Sequence, residues 1–124
     1  MSARSIAGFL FLSLLFLSCN LDFLPEVAAG ETGFVALCPI EGDILDGISV
    51  LVERTINKET EGAKAVMFVI DTYGGRVDSA MDIANAILSA PVPTIAFITG
   101  RGAISAGALI AYSCDHIIMA PGVN

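Results

Sequence analysis

Polar interruptions divide the second two-thirds of the chain into short apolar runs of two alternating kinds. Residues 34–40 (FVALCPI) are continuously apolar and predict a buried strand, interrupted by Glu41-Gly42-Asp43. Over 47–60, Ile48, Leu51, Val52 and Ile56 fall at helical spacing with Glu53, Arg54 and Lys58 between them. Residues 65–70 (AVMFVI) have the composition of a strand covered on both faces, broken by Asp71-Thr72-Tyr73-Gly74-Gly75. A helix follows over 77–90, with Val77, Ala80, Met81, Ala84, Ile87 and Leu88 on one face, stopped by Pro91 and Pro93. A third strand covers 94–98, Gly100–Gly102 turn the chain, an Ala-rich helix spans 105–113, and a fourth strand covers 116–119 before Pro121-Gly122. Strand and helix alternate throughout, which predicts an α/β layered fold with a parallel sheet.

The first 29 residues read differently. After a short polar start with Arg4, residues 6–17 (IAGFLFLSLLFL) are apolar apart from Ser13. Twelve residues are too few to span roughly 30 Å of hydrocarbon but suit the core of a signal peptide. Phe16-Leu17-Ser18-Cys19 has the form of a lipobox, in which Cys19 would be lipidated, although Phe16 stands where Leu is usual. Val27-Ala28-Ala29 before Gly30 is a small-residue site for ordinary signal peptidase, and an uncleaved anchor is the third alternative. Each predicts that residues 30–124 work outside the cytoplasm at the membrane, on the periplasmic or extracytoplasmic face.

Composition narrows the functions. The net charge of −7 leaves no basic patch for phosphate, so a nucleic-acid partner is not expected. A hydrophobic fraction of 55 % is high for a soluble domain, and part of it lies in the leader. Cys19, Cys38 and Cys114 show no metal-ligand spacing; Cys38 and Cys114 read as small buried hydrophobes, and neither metal nor cofactor is expected.

Chemistry concentrates in two turns. Asp71-Thr72-Tyr73-Gly74-Gly75 and Gly102-Ala103-Ile104-Ser105-Ala106-Gly107 each follow a core strand, so both emerge at the carboxyl edge of a parallel sheet, where sites form. Ser105 opens a helix, where unpaired N–H groups favour developing negative charge. One turn would supply oxyanion donors and the other a nucleophile. The plainer alternative makes Gly74-Gly75 a turn, Ser105 a helix cap, and Thr72 or Asp71 a cap of the next helix. Asp71 would pair with Arg76 or Arg101.

Taken together, Cys38-Pro39-Ile40-Glu41-Gly42-Asp43-Ile44, Ile70-Asp71-Thr72-Tyr73-Gly74-Gly75-Arg76-Val77, Ser105-Ala106-Gly107 and Met119-Ala120-Pro121-Gly122 resemble, in order and spacing, the protease domain of the NfeD family. This family of stomatin-associated membrane serine proteases is similar more distantly to signal peptide peptidase A and the Clp protease. The resemblance implies a Clp protease/crotonase-like spiral of strand–helix units, incomplete at the C-terminus. It implies a Ser-Lys dyad with Ser105 as nucleophile and Gly74 or Gly75 with Ala106 as oxyanion donors. Tyr73 stands where the family has Pro, which predicts a looser turn. The family's lysine lies further past the serine than the 19 residues that follow Ser105, so the sequence is expected to be an inactive fragment. Lys58 and Lys64 precede the serine and match nothing in the pattern, and His116 reads as structural.

The resemblance further implies a hydrophobic peptide substrate, a stomatin-like partner and a homo-oligomer. A non-catalytic scaffold of the same fold is the alternative. A crotonase-type enzyme acting on coenzyme A thioesters is disfavoured by the export signal.

Overall fold

A computed structural model of the chain describes residues 33–123. The leader, the Cys19 lipobox and the cleavage site before Gly30 lie outside the described residues.

Seven elements follow in the expected order: β1 (Phe34–Ile44), α1 (Asp46–Lys58), β2 (Ala63–Gly75), α2 (Val77–Leu88), β3 (Thr94–Ala103), α3 (Ala106–Tyr112) and β4 (His116–Met119). The four strands form one parallel sheet in the order β1-β2-β3-β4. Ile40, Ile70, Ile98 and Met119 stand in one register row, and Cys38, Phe68, Ala96 and Ile117 in the next.

Each strand hands over to a helix that returns along the sheet, always in the same direction across it. Right-handed crossovers then place all three helices on one face. They pack side by side there, α1 on α2 and α2 on α3. The core lies between the layers. Ile40, Val66, Phe68, Ile70 and Ala96 come from the strands, and Val52, Ile83 and Ile110 from the helices, all fully buried.

Two expectations need correction. The run 65–70 is not covered on both faces: Met67 and Val69 alternate with the buried Val66, Phe68 and Ile70 and are only half-buried, because no described helix crosses to that side. An apolar run cannot distinguish two covered faces from one. In α2 the buried stripe is Ser79, Ala80, Ile83, Ala84 and Ile87, whereas Val77, Met81 and Leu88 are exposed. The true stripe is rotated by part of a turn from the predicted one. It admits a small polar residue, Ser79, whose hydroxyl donates to Asp46 (2.7 Å).

The strands also run further than their apolar runs. β1 continues through Glu41-Gly42-Asp43, with Gly42 at φ +73°, opposite a bulge that puts one extra residue into β2 between Asp71 and Gly74. β2 continues through Gly75, pairing Ile44 with Gly75. β3 reaches Ala103 by a larger irregularity: Ile70 pairs Ile98, but Thr72 pairs Ala103. These extensions build the carboxyl edge of the sheet.

Candidate active site

At that edge Gly74 and Ser105 meet. A methyl group on Gly74 would lie 2.8 Å from Ser105 Cβ, 3.0 Å from the Ile104 carbonyl and 3.3 Å from Ala106 N. Only a residue without a side chain allows this approach, and the φ of +114° at Gly74 is also one that side chains disfavour. A methyl on Gly75 would overlap the main chain of Ile44. The two glycines are therefore packed from both sides, one against β1 and one against the serine.

Thr72 fastens the arrangement. It is fully buried; its hydroxyl donates to the Gly42 carbonyl of β1 and accepts from Gly74 N–H (2.9 Å). Its methyl fills the space a side chain at Gly107 would need: a Cβ there would lie 2.5 Å from it. Thr72 thus ties β1, the glycine pair and the first turn of α3 together. It does not cap α2, and neither does Asp71: that helix starts at Arg76, which makes no side-chain cap, and Asp78 accepts the Ser79 N–H (2.9 Å) instead. A buried threonine one residue before Tyr73-Gly74 carries no periodic signal, so its role was not legible in the sequence.

Ser105 occupies the cap position of α3, yet its hydroxyl makes no capping hydrogen bond. Its backbone has φ +53° and ψ −117°, and it is the one non-glycine residue with positive φ among those described. Such a conformation costs on the order of 1–3 kcal/mol and persists where the surroundings impose it, commonly at functional sites. A helix cap needs no such conformation, so capping does not account for this serine.

Two N–H groups are left over around it. In the first turn of α3, Gly107 donates to Ile104 (2.9 Å), and Ala108 and Leu109 donate to Ser105 (3.0 and 3.4 Å); Ala106, the first helical residue, has no such acceptor. On β2, Gly74 N–H is taken by Thr72 and Arg76 N–H by Ile44 (2.8 Å). Alternation along the strand turns Gly75 N–H away from β1, and β2 has there passed its last pairing with β3. Of the two glycines, Gly75 thus keeps an N–H to offer and Gly74 supplies the close approach.

Charges frame this edge. Arg76 makes a bidentate contact with Asp78 and lies 3.6 Å from Asp46. The hydrogen bond from Arg76 holds Asp78 below the usual carboxylate range, and Asp78 in turn raises Arg76. Asp71 pairs with Arg101 rather than Arg76: it accepts the Arg101 N–H (2.8 Å), and the guanidinium lies 3.8 Å away and 5.7 Å over the Tyr73 ring. Tyr73 is a strand residue held between bonded neighbours, not part of a loose turn.

The two lysines and the histidine of the described residues stand elsewhere. His116 pairs with Ile95 toward the opposite end of the sheet, about 17 Å from the Thr72–Ala103 pair by the five residues of β2 from Met67 to Thr72 at ~3.3 Å each. Lys64 is at the start of β2 and Lys58 at the end of α1, both at that far end. Asp115, between α3 and β4, accepts from Thr94 N–H (2.8 Å) and hydroxyl (2.9 Å), which lowers its pKa and pins β4 to β3. Burial pushes the Cys38 thiol up and that of Cys114 to about 12. Among the described residues no group of side chains could hold a metal ion.

A polar cleft of about 350 Å³ between α1 and α2, lined by Glu53, Asn57, Asp82 and Asn85, contains none of the candidate groups. A smaller apolar cavity of about 200 Å³ is lined by Ala103, Ala108, Ala111, Ile117 and Met119, and Ala103 and Ala108 flank Ser105 in sequence.

A parallel strand–helix spiral with a strained serine against a Gly-Gly strand end has the architecture of the Clp-type fold. ClpP1 from Listeria monocytogenes aligns with a TM-score of 0.57 at 21 % identity over 64 % of this chain and 46 % of its own, a likeness of fold. The chain belongs to the NfeD1b family: the model of the NfeD1b N-terminal domain matches residues 34–124. It is 34 % identical to the membrane protein NfeD1b of Bacillus subtilis over 95 % of this chain and 25 % of that protein. It is 38 % identical to the membrane-bound protease PH1510 of Pyrococcus horikoshii over 73 % of this chain and 21 % of that protein. The chain therefore spans about a quarter of the length of these relatives. Among solved structures, a variant of the stomatin-specific protease 1510-N in complex with a substrate peptide aligns with a TM-score of 0.68 at 34 % identity, over 73 % of this chain and 43 % of that one. Both relatives are named as membrane proteins, and among the described residues no helix is long and apolar enough to cross a membrane.

Proposed function

We propose that this chain carries the nucleophile and oxyanion hole of a membrane-associated serine endopeptidase acting on apolar peptide segments. The observation that carries the reading is Ser105, held at positive φ against Gly74 with a hydroxyl that makes no capping hydrogen bond. In this reading Ser105 Oγ attacks the scissile carbonyl carbon and gives its proton to a base. The carbonyl oxygen becomes an oxyanion between the N–H groups of Gly75 and Ala106. A donor of this kind contributes about 10²–10³ in rate. Gly74 is the residue whose missing side chain lets the two halves meet.

The base is the lysine of a Ser-Lys dyad, which neither Lys58 nor Lys64 provides. A lysine does this work only where burial lowers its pKa. The apolar cavity beside Ala103 and Ala108 suits a hydrophobic substrate residue. A stomatin-like membrane protein is the proposed partner, in keeping with the stomatin-specific protease that the chain resembles. Export to the extracytoplasmic face and assembly into homo-oligomers complete the proposal; a mature N-terminus at Gly30 or a lipidated Cys19 would support export.

A second reading, a scaffold of the same fold without turnover, would be favoured if no lysine of the full-length protein stands beside Ser105. The experiment is labelling of the full-length protein with a fluorophosphonate, beside Ser105→Ala. Labelling of the parent alone, with cleavage of an apolar peptide, supports the protease. Absence of both leaves the scaffold.

A further inference from the structure

At the rim of the same edge, β3 departs from regular pairing to accommodate one side chain of β2. Between the pairs Ile70–Ile98 and Thr72–Ala103, β3 uses three more residues than β2. Asp71 fills the excess. Its carboxylate accepts the Arg101 N–H, and Gly100 lies so close that a methyl there would overlap it. The φ values of +57° at Gly100 and +97° at Gly102 complete the bend. Its result is to lay the Arg101 side chain back across β2, over Tyr73, the neighbour of Gly74.

The guanidinium is held but not consumed. Its approach to Asp71, at 3.8 Å, is an ion pair without hydrogen-bond length. A guanidinium carries its five donors on a fixed fork, so one edge facing Asp71 leaves the other edge free. The side chain is 48 % exposed, and Tyr73 beneath it is 66 % exposed. Arg76, the other cation at this end, is closed by Asp78 and Asp46. Glu41, the register partner of Asp71, lies on the β1 side, away from β3. The edge is therefore acidic toward β1 and cationic toward β3.

We propose that Arg101, stacked on Tyr73 and steadied by Asp71, is a carboxylate-binding subsite at the same strand-end edge as Ser105, which selects peptides carrying a carboxylate on the β3 side of the bound segment. This rests on the reading of the Gly75–Ser105 edge as a peptide site. The clamp lowers the entropy lost when the guanidinium engages a ligand. A charge-assisted, bidentate contact is strong, and solvent exposure reduces it.

The test uses full-length protein carrying Ser105→Ala, and N-acetylated, C-terminally amidated leucine-rich hexapeptides. A single Glu or its Gln counterpart is placed at each position in turn, and one further peptide has no Glu but a free C-terminal carboxylate. Binding is read by fluorescence anisotropy at low salt. At one position Glu is expected to bind about fivefold more tightly than Gln. That ratio should fall to unity in Arg101→Gln, be partly retained in Arg101→Lys, and shrink in Tyr73→Leu, while neutral peptides bind all folded variants alike. A preference for the free carboxylate alone assigns the subsite to a chain end rather than an acidic side chain. Ratios within twofold of unity everywhere, no peptide binding, or a ratio that survives Arg101→Gln overturns the proposal. A clear ratio in a protein whose parent form is never labelled by fluorophosphonate would instead remove the protease reading and leave the subsite.

Discussion

Replacing Gly74 by alanine adds one methyl group at the point where the two halves of the proposed site touch. Its carbon would lie 2.8 Å from Ser105 Cβ and 3.0 Å from the Ile104 carbonyl. Non-bonded carbons rest about 3.5–4.0 Å apart, so one partner must retreat by about 1 Å. Neither contact is the far end of a flexible side chain. Ser105 must move with its backbone, or β2 must slide against Ile44. The φ of +114° adds strain of about 1–3 kcal/mol for an alanine, and overpacking adds a similar amount. A loss of about 2–6 kcal/mol lowers Tm in a domain of this size by about 10 °C or more. A 1 Å displacement of a catalytic group costs about 10²-fold in rate. The control is Gly62→Ala, which carries the same kind of strain (φ +76°) but meets nothing closer than the Phe34 ring at 3.8 Å. It should lose stability alone and keep the parent's reactivity. Thermal unfolding and the rate of fluorophosphonate labelling below both transitions separate the two effects. Folded Gly74→Ala protein labelled at the parent rate would refute the claim that Gly74 sets the position of Ser105.

Thr72→Val keeps the shape of the side chain but orphans the Gly74 N–H, and should cost about 1–3 kcal/mol by denaturant unfolding; an unchanged midpoint would remove Thr72 from the role of fastener. Asp115 has its pKa lowered by the Thr94 N–H and hydroxyl, so its contribution to stability is complete above the ordinary carboxylate pKa and disappears as pH falls through the lowered folded value. Asp115→Asn should therefore flatten the acid limb of the stability–pH curve, and parallel curves would contradict this. Cys38 and Cys114, with thiol pKa values raised by burial, should resist iodoacetamide at pH 8 until the protein unfolds, as mapped by peptide mass spectrometry.

The alternation of apolar runs and helical spacing was enough to place all seven elements in order, because each buried strand is a short unbroken run and each helix a 3.6-residue pattern. The sheet's second face was misread because apolar continuity in 65–70 reports hydrophobicity, not what covers it. The stripe of α2 was misread because Ser79 is buried against Asp46, a partner 33 positions away that no local pattern reveals. Strand ends were cut short for a related reason. Glu41 to Ile44 and Asp71 to Gly75 have turn composition, yet they remain strand because each supplies the other's ladder partners.

The site divides along the same line. Gly74, Gly75, Ser105 and Ala106 were legible as two turns after two core strands, and adjacency of β2 and β3 brings those turns together. Their unequal parts were not legible. Which glycine keeps a free N–H depends on Thr72, and Thr72 depends on the carbonyl of Gly42, thirty positions earlier. The strain at Ser105 likewise arises from fit: Gly107 must pack on the Thr72 methyl while Gly74 packs on Ser105. Backbone donors in this arrangement are fixed by three strands and one helix at once, whereas a base would be fixed by a side chain from some further element. Substitutions at Thr72, Gly74 or Gly107 should therefore disturb the donors and the nucleophile together, and a substitution of the base should leave the geometry around Ser105 unchanged.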